Sequence, residues 1–189
     1  MTDLWQLPGE AEIGGKIYGI HADYRDILEI FSYLQDPDLP EFLKWSIALG
    51  LFYDAPIPES DTREAMEYFC TFVSCGQDSQ PGPQLIDWQQ DAMLILSDVN
   101  AVAGQEIRAA KFIHWWTFLS WFHGIGPGQL STVVAIRDKL RRGKALEGWE
   151  KEFYSRNRET VDLKPKLTPS QLAEKQRLEA MLEGGGNGT

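Results

Sequence analysis

The sequence predicts a mainly α-helical domain of about seven helices, with a small β-hairpin at its N-terminus and a helical tail at its C-terminus. Three observations carry that prediction. Apolar residues recur at helical spacing through residues 23–163, Pro- and Gly-rich breaks separate the recurrences, and one stretch with a hairpin pattern, AEIGGKIYGI, precedes them all. A chain of 189 residues suits one well-cored domain, and a composition 43% hydrophobic and 12% aromatic favours a folded protein over a disordered one. The expected organisation is a hairpin segment over 1–22 packed on a helical domain over 23–163. A linker, a short surface helix and a disordered Gly-rich end are expected over 164–189.

In the hairpin, Ile13 and Lys16 flank Gly14-Gly15, and glycine supplies the positive φ that a two-residue loop needs. DYRDILEIFSYLQ then places Tyr24, Ile27, Leu28, Ile30, Phe31 and Leu34 on one side of a helix. DPDLP breaks it, and EFLKWSIALGLFY makes a second. A third starts at SDTREA, with Asp61 as N-cap and Glu64 at capping-box spacing, and ends near Cys75-Gly76. The fourth is expected over about 84–102, aligning Leu85, Trp88, Ala92, Ile95, Leu96 and Val99. The fifth holds IHWWTFLSWF and stops at GIGPG, the sixth runs over about 129–142, and the seventh over about 147–159. Thr168, Pro169 and Gln171 signal the start of a sparsely apolar C-terminal helix.

IHWWTFLSWF packs five aromatic rings into ten residues. Stepping 100° per residue from Phe112 puts Phe112, Trp115, Trp116, Phe118, Leu119 and Phe122 in one arc of about 160°, which is a wide core face. A membrane span would need about 20 apolar residues, and His114, Thr117 and Ser120 interrupt this one. Trp121 falls opposite the arc, beside His114 and Thr117. Either a second layer covers it or it anchors a partner, and Trp116 at the rim is a second candidate. Single-strand binding would need a basic groove beside the rings; only Arg108 and Lys111 are near.

The net charge of −10 argues against general nucleic-acid affinity. The charge is uneven. Residues 1–105 carry 4 basic and 18 acidic side chains (−14), and residues 106–189 carry 14 basic and 10 acidic (+4). Arg137 falls inside the apolar stripe of Leu130, Val133, Ile136 and Leu140, where a guanidinium must be paired or must snorkel. A pair with Asp91 is expected. Cys70 and Cys75 point apart on a helix, and two isolated thiols with no basic n-region or apolar h-region in MTDLWQLPGE lead us to expect a reducing cytosolic setting.

Catalytic and metal motifs are absent from the sequence. His21, His114 and His123 share no ligand spacing, and there is no HExxH, CxxC, GxGxxG or GxxxxGK[ST]. Asp36-Pro37-Asp38 reads as a turn, and GIGPGQ as a helix-to-helix turn rather than a phosphate loop. No enzyme activity, cofactor or metal is expected.

The order of motifs does carry a resemblance. AEIGGKIYGIHADYR, LQDPDLP, EAMEYFCTFVSCG, LIDWQQDAMLILSDV, IHWWTFLSWFHGI and VVAIRDKL follow one another as in the gene-product-fifteen type of tail protein of siphophages and prophages. The resemblance covers roughly residues 8–163. It implies a non-enzymatic tail assembly chaperone that masks the tape-measure protein in the host cytoplasm and is absent from the mature virion. A structural tail or connector component, or an adaptor binding a host protein, stays open beside it, as does self-association. The partner-surface candidates are Trp121, Trp116, His114 and the basic Arg141, Arg142 and Lys144. No nucleic acid and no membrane are expected among the partners.

Overall fold

The structure is a computed structural model that describes residues 5–77 and 82–164 together with Gln171, Ala173 and Arg177. It is mainly α, with eight α-helices among the described residues and one two-stranded antiparallel sheet at the N-terminus. The expected Gly-rich end lies outside the described residues, as does most of the expected C-terminal helix.

Strand β1 (Glu10–Ile13) pairs with β2 (Lys16–Gly19), with Ala11 opposite Tyr18 and Ile13 opposite Lys16. Gly14 and Gly15 take φ of +57° and +74° and close the two-residue turn. A lone hairpin is marginal in water, and this one is sewn to the helices. His21 N–H donates to the Phe52 carbonyl, Asp54 N–H to that of Gly19, and the Tyr68 hydroxyl to that of Glu10. Its inward residues Ala11, Ile13 and Tyr18 are buried.

Helix α1 (Tyr24–Leu34) buries Tyr24, Ile27 and Ile30 and packs against α2 (Glu41–Phe52) across the 36–40 turn. In that turn the Asp36 carboxylate accepts from Asp38 N–H at 2.8 Å, the local bond that makes Asp a turn residue. Helix α3 (Thr62–Val73) buries Ala65, Phe69 and Phe72. The capping box expected at its start does not form: Asp61 makes no side-chain cap bond, and Glu64 instead accepts from Gly14 N–H in the hairpin turn at 3.0 Å.

Helix α4 (Ala92–Ala103) begins eight residues later than the sequence predicts. The reason is local. The Asp87 carboxylate takes the N–H groups of Gln89 and Gln90, and the Asp91 carboxylate turns back to Asp87 N–H, so the backbone donors of 87, 89 and 90 are held in a side-chain-bonded turn. Gly104, with φ of +67°, ends the helix. Helices α5 (Trp115–His123) and α6 (Gln129–Arg141) follow. The predicted seventh helix is two, α7 (Gly148–Arg156) and α8 (Arg158–Val161), because Asn157 leaves the helical region with φ of −124° and ψ of 30°, its carboxamide donating to the Phe153 carbonyl. The main core is built from α1–α5 and the hairpin, and a smaller cluster of Val133, Ile136 and Val161 joins α6 to α8.

Candidate interaction surface

Helix α5 is interior rather than a presenting face. Its N-terminus is clasped to that of α1. The Asp23 carboxylate accepts four bonds, from Arg25 N–H and Nε on Oδ1 and from Arg25 Nη2 and Ile113 N–H on Oδ2, all between 2.7 and 3.0 Å. Trp115 N–H donates to the Ala22 carbonyl and Tyr24 N–H to that of Ile113, so the two chain segments form an antiparallel bridge. Burial pushes the Asp23 carboxyl up, but the Arg25 and Ile113 donors outweigh it and hold it below the usual carboxylate range.

His114 is the N-cap of α5, not a surface group. It is 6% exposed; Nδ1 accepts from Trp116 N–H, and Nε2 lies 3.0 Å from the Pro8 carbonyl, which fixes the neutral tautomer with the proton on Nε2. Burial lowers its pKa despite the Pro8 bond. Trp116 is likewise no rim anchor. It is 7% exposed, and its indole N–H donates to the Phe72 carbonyl at 2.8 Å, while that of Trp115 donates to Val73 at 3.0 Å. The tryptophan pair therefore bonds carbonyls in the last turn of α3, where that of Phe72 also accepts from Cys75 N–H at 3.0 Å. The remaining rings interlock around Trp115, with Phe118 stacked on Tyr24 at 4.8 Å and Trp88 5.2 Å from Phe122. Phe112 does not share the arc: the helix starts three residues later, and Phe112 stays exposed. Trp121 is half-buried and packed against the core.

Arg137 and Asp91 meet in a fully buried pair. Nη1 and Nη2 donate to the two Asp91 oxygens at 2.6 and 2.8 Å, and the other three N–H bonds go to the carbonyls of Leu85, Thr160 and Val161. All five donors of the guanidinium are used. The arrangement fastens α6, the start of α4 and the end of α8; it is a structural hub with no open face. At the end of α6, Arg141 and Arg142 both bond to Asp138, and Lys144 is exposed beyond the Gly143 turn. That corner also shows Trp149, whose indole donates to Glu147. Among the described residues no His, Cys, Asp and Glu side chains are grouped so as to hold a metal ion, and no helix is long and apolar enough to cross a membrane.

An open apolar groove lies elsewhere among the described residues. A groove of about 680 Å³ runs between α2 and α3, floored by Trp45, Leu49 and Met66 and walled by Ile57. Phe42, at its edge, is 76% exposed. Trp45 is held edge-on against Phe69 at 6.2 Å. Sequence periodicity missed this site because α2 is apolar on nearly every side, so no stripe stands out. The signal was that excess itself: EFLKWSIALGLF carries more apolar side chains than a helix covered on one face can bury.

Residues 3–163 match the family model described as bacteriophage Gp15 protein. The chain belongs to that family. Comparison with curated proteins and with solved structures finds no match. The span matched by the Gp15 family ends two residues after Val161, so it takes in the hairpin, the eight helices and the Arg137 hub together.

Proposed function

We propose that this Gp15-family protein is a non-enzymatic tail assembly chaperone that masks the tape-measure protein in the host cytoplasm and leaves before the virion is complete. The observation that carries the reading is the open apolar groove between α2 and α3, in a protein whose other aromatic rings are mostly turned inward. A tape-measure protein is long, helical and apolar-striped, and such a stripe aggregates before the tail tube encloses it. A groove that takes one apolar helix face shields it by helix-in-groove contact. A modest, partly polar-rimmed surface also suits a partner that has to be released.

The test is co-expression with the neighbouring tape-measure protein, scored by soluble yield and by co-elution on a sizing column. A soluble tape measure that travels with this chain supports the chaperone. A tape measure that stays insoluble at equal expression removes the mechanism. Detection of this chain in purified virions at stoichiometric level would favour a structural tail or connector component instead, and capture of a host protein without any tape-measure gene would favour an adaptor.

A further inference from the structure

Resting on that reading, we infer that the α2–α3 groove takes a basic amphipathic helix, apolar at i, i+3 or i+4, and i+7 and carrying Lys or Arg beside that stripe, and that Gly50 is the point of closest approach. Three observations converge. The first is shape: Phe42, Trp45 and Leu49 stand at i, i+3 and i+7 on α2, a helix of 12 residues, or about 18 Å at 1.5 Å per residue. That length accommodates about three turns of a partner helix.

The second is charge. The charged groups lining the groove are Glu41 and Asp54, with no Lys, Arg or His among its lining residues. Lys44 forms an ion pair with Glu41 at 3.5 Å from the side of a different cavity, which it lines with Gln35, Pro37 and Lys164, so Asp54 carries more of the groove's negative charge. Past Gly50 the acidic surface continues through Asp26 and Glu29, with His21 beside them. A groove rimmed in this way selects a cationic helix over an acidic one.

The third is Gly50. Gly50 lies in the last turn of α2, and a glycine within a helix is costly relative to alanine because it loses more backbone freedom on folding. Nothing lies within 4 Å of where a Gly50 Cβ would stand, so no contact within the fold demands glycine there. The residue lines the groove, and the missing side chain leaves room for a partner backbone to lie close against α2.

The test uses the full chain. Wild type and a variant with different tags are co-expressed with one tape-measure protein, and the ratio of the two forms in the recovered complex reads their relative affinity. Phe42→Asp, at an exposed position, is expected to be depleted at least about thirtyfold, as for a truncated hot spot. Gly50→Ala is the decisive variant because it should fold better: a Tm about 2–4 °C higher, with at least tenfold depletion from the complex. Glu41→Lys with Asp54→Lys should be depleted severalfold at low salt and less at 0.5 M NaCl. A photo-reactive benzophenone amino acid in place of Phe42 should crosslink to a tape-measure segment with Lys or Arg beside its apolar stripe.

If wild type captures the tape measure and Phe42→Asp and Gly50→Ala compete equally well, the groove is not the docking site, although the chaperone reading stands. A crosslink to residues 165–189 of the same chain, or to a second copy, overturns the inference in favour of that occupant. If wild type captures no tape measure, the chaperone reading falls and the inference with it.

Discussion

Replacing Arg137 with Met tests how much of the fold depends on one guanidinium. The substitution keeps most of the apolar stem and removes five N–H donors. Asp91, whose side chain is 0% exposed, is left as a buried charge without its partner, a loss of about 3–5 kcal/mol in comparable sites. The carbonyls of Leu85, Thr160 and Val161 lose their bonds at the same time. Against a total stability of about 5–15 kcal/mol, the variant should be barely folded at 37 °C. The assay is guanidinium unfolding followed by circular dichroism, with the shift in midpoint read at constant slope. The deficit should persist in 1 M NaCl, because a buried pair is screened little. Arg137→Met combined with Asp91→Leu should recover about 1–3 kcal/mol relative to Arg137→Met alone, since the orphaned charge is gone. A single variant within about 1 kcal/mol of wild type, or a double variant less stable than the single, would refute the reasoning.

Three further outcomes follow from the geometry. The imidazole of His114 is held below its ordinary 6.5 by burial, so the folded chain binds fewer protons there than the unfolded chain; stability is complete above about pH 6.5 and falls as the pH drops from there towards the lowered value. His114→Asn, which retains an N-cap oxygen, should flatten that slope in urea titrations run between pH 7 and 5, and an unchanged slope would assign it to other groups. Gly14→Ala should destabilise by about 1–2 kcal/mol from its left-handed backbone and by more than Gly15→Ala, because a Cβ at 14 would also stand 2.5 Å from the Asp61 carboxylate; equal thermal shifts would contradict this. Burial pushes both thiols up, that of Cys75 to about 11, and Cys70 is the more exposed, so iodoacetamide at pH 8 should alkylate Cys70 first by peptide mass mapping, and equal rates would count against the burial of Cys75.

The hairpin was legible because its turn depends on two adjacent glycines, a short-range requirement. Helices α1, α5 and α6 were legible from periodicity and breakers for the same reason, and α2 from the breakers on either side of it alone. What escaped the sequence were competitions between side chains and backbone. The late start of α4 depends on the Asp87 and Asp91 carboxylates taking nearby amides, and Glu64 left its own helix for the hairpin turn because the hairpin happens to lie there. His114 and Trp116 read as candidate surface groups on a helical wheel, which assigns angle but not what covers each angle. Their polar atoms are met by Pro8 and Phe72, residues 106 and 44 positions away. Arg137 was recognisable as a misfit in an apolar stripe, yet three of its five acceptors are main-chain carbonyls that no residue type encodes.

The clasp between α1 and α5 also sets a clock for the growing chain. Asp23 waits for the amide of Ile113, 90 residues downstream, and at about 5–20 residues per second that interval is roughly 5–18 seconds of translation. Throughout it Tyr24 has no Phe118 to stack on, and the last turn of α3 lacks the two indoles that close it. Stop codons placed before residue 116 should therefore yield fragments that host proteases clear, and slower codons between α3 and α5 should lower the soluble yield of a chain whose finished form is unchanged.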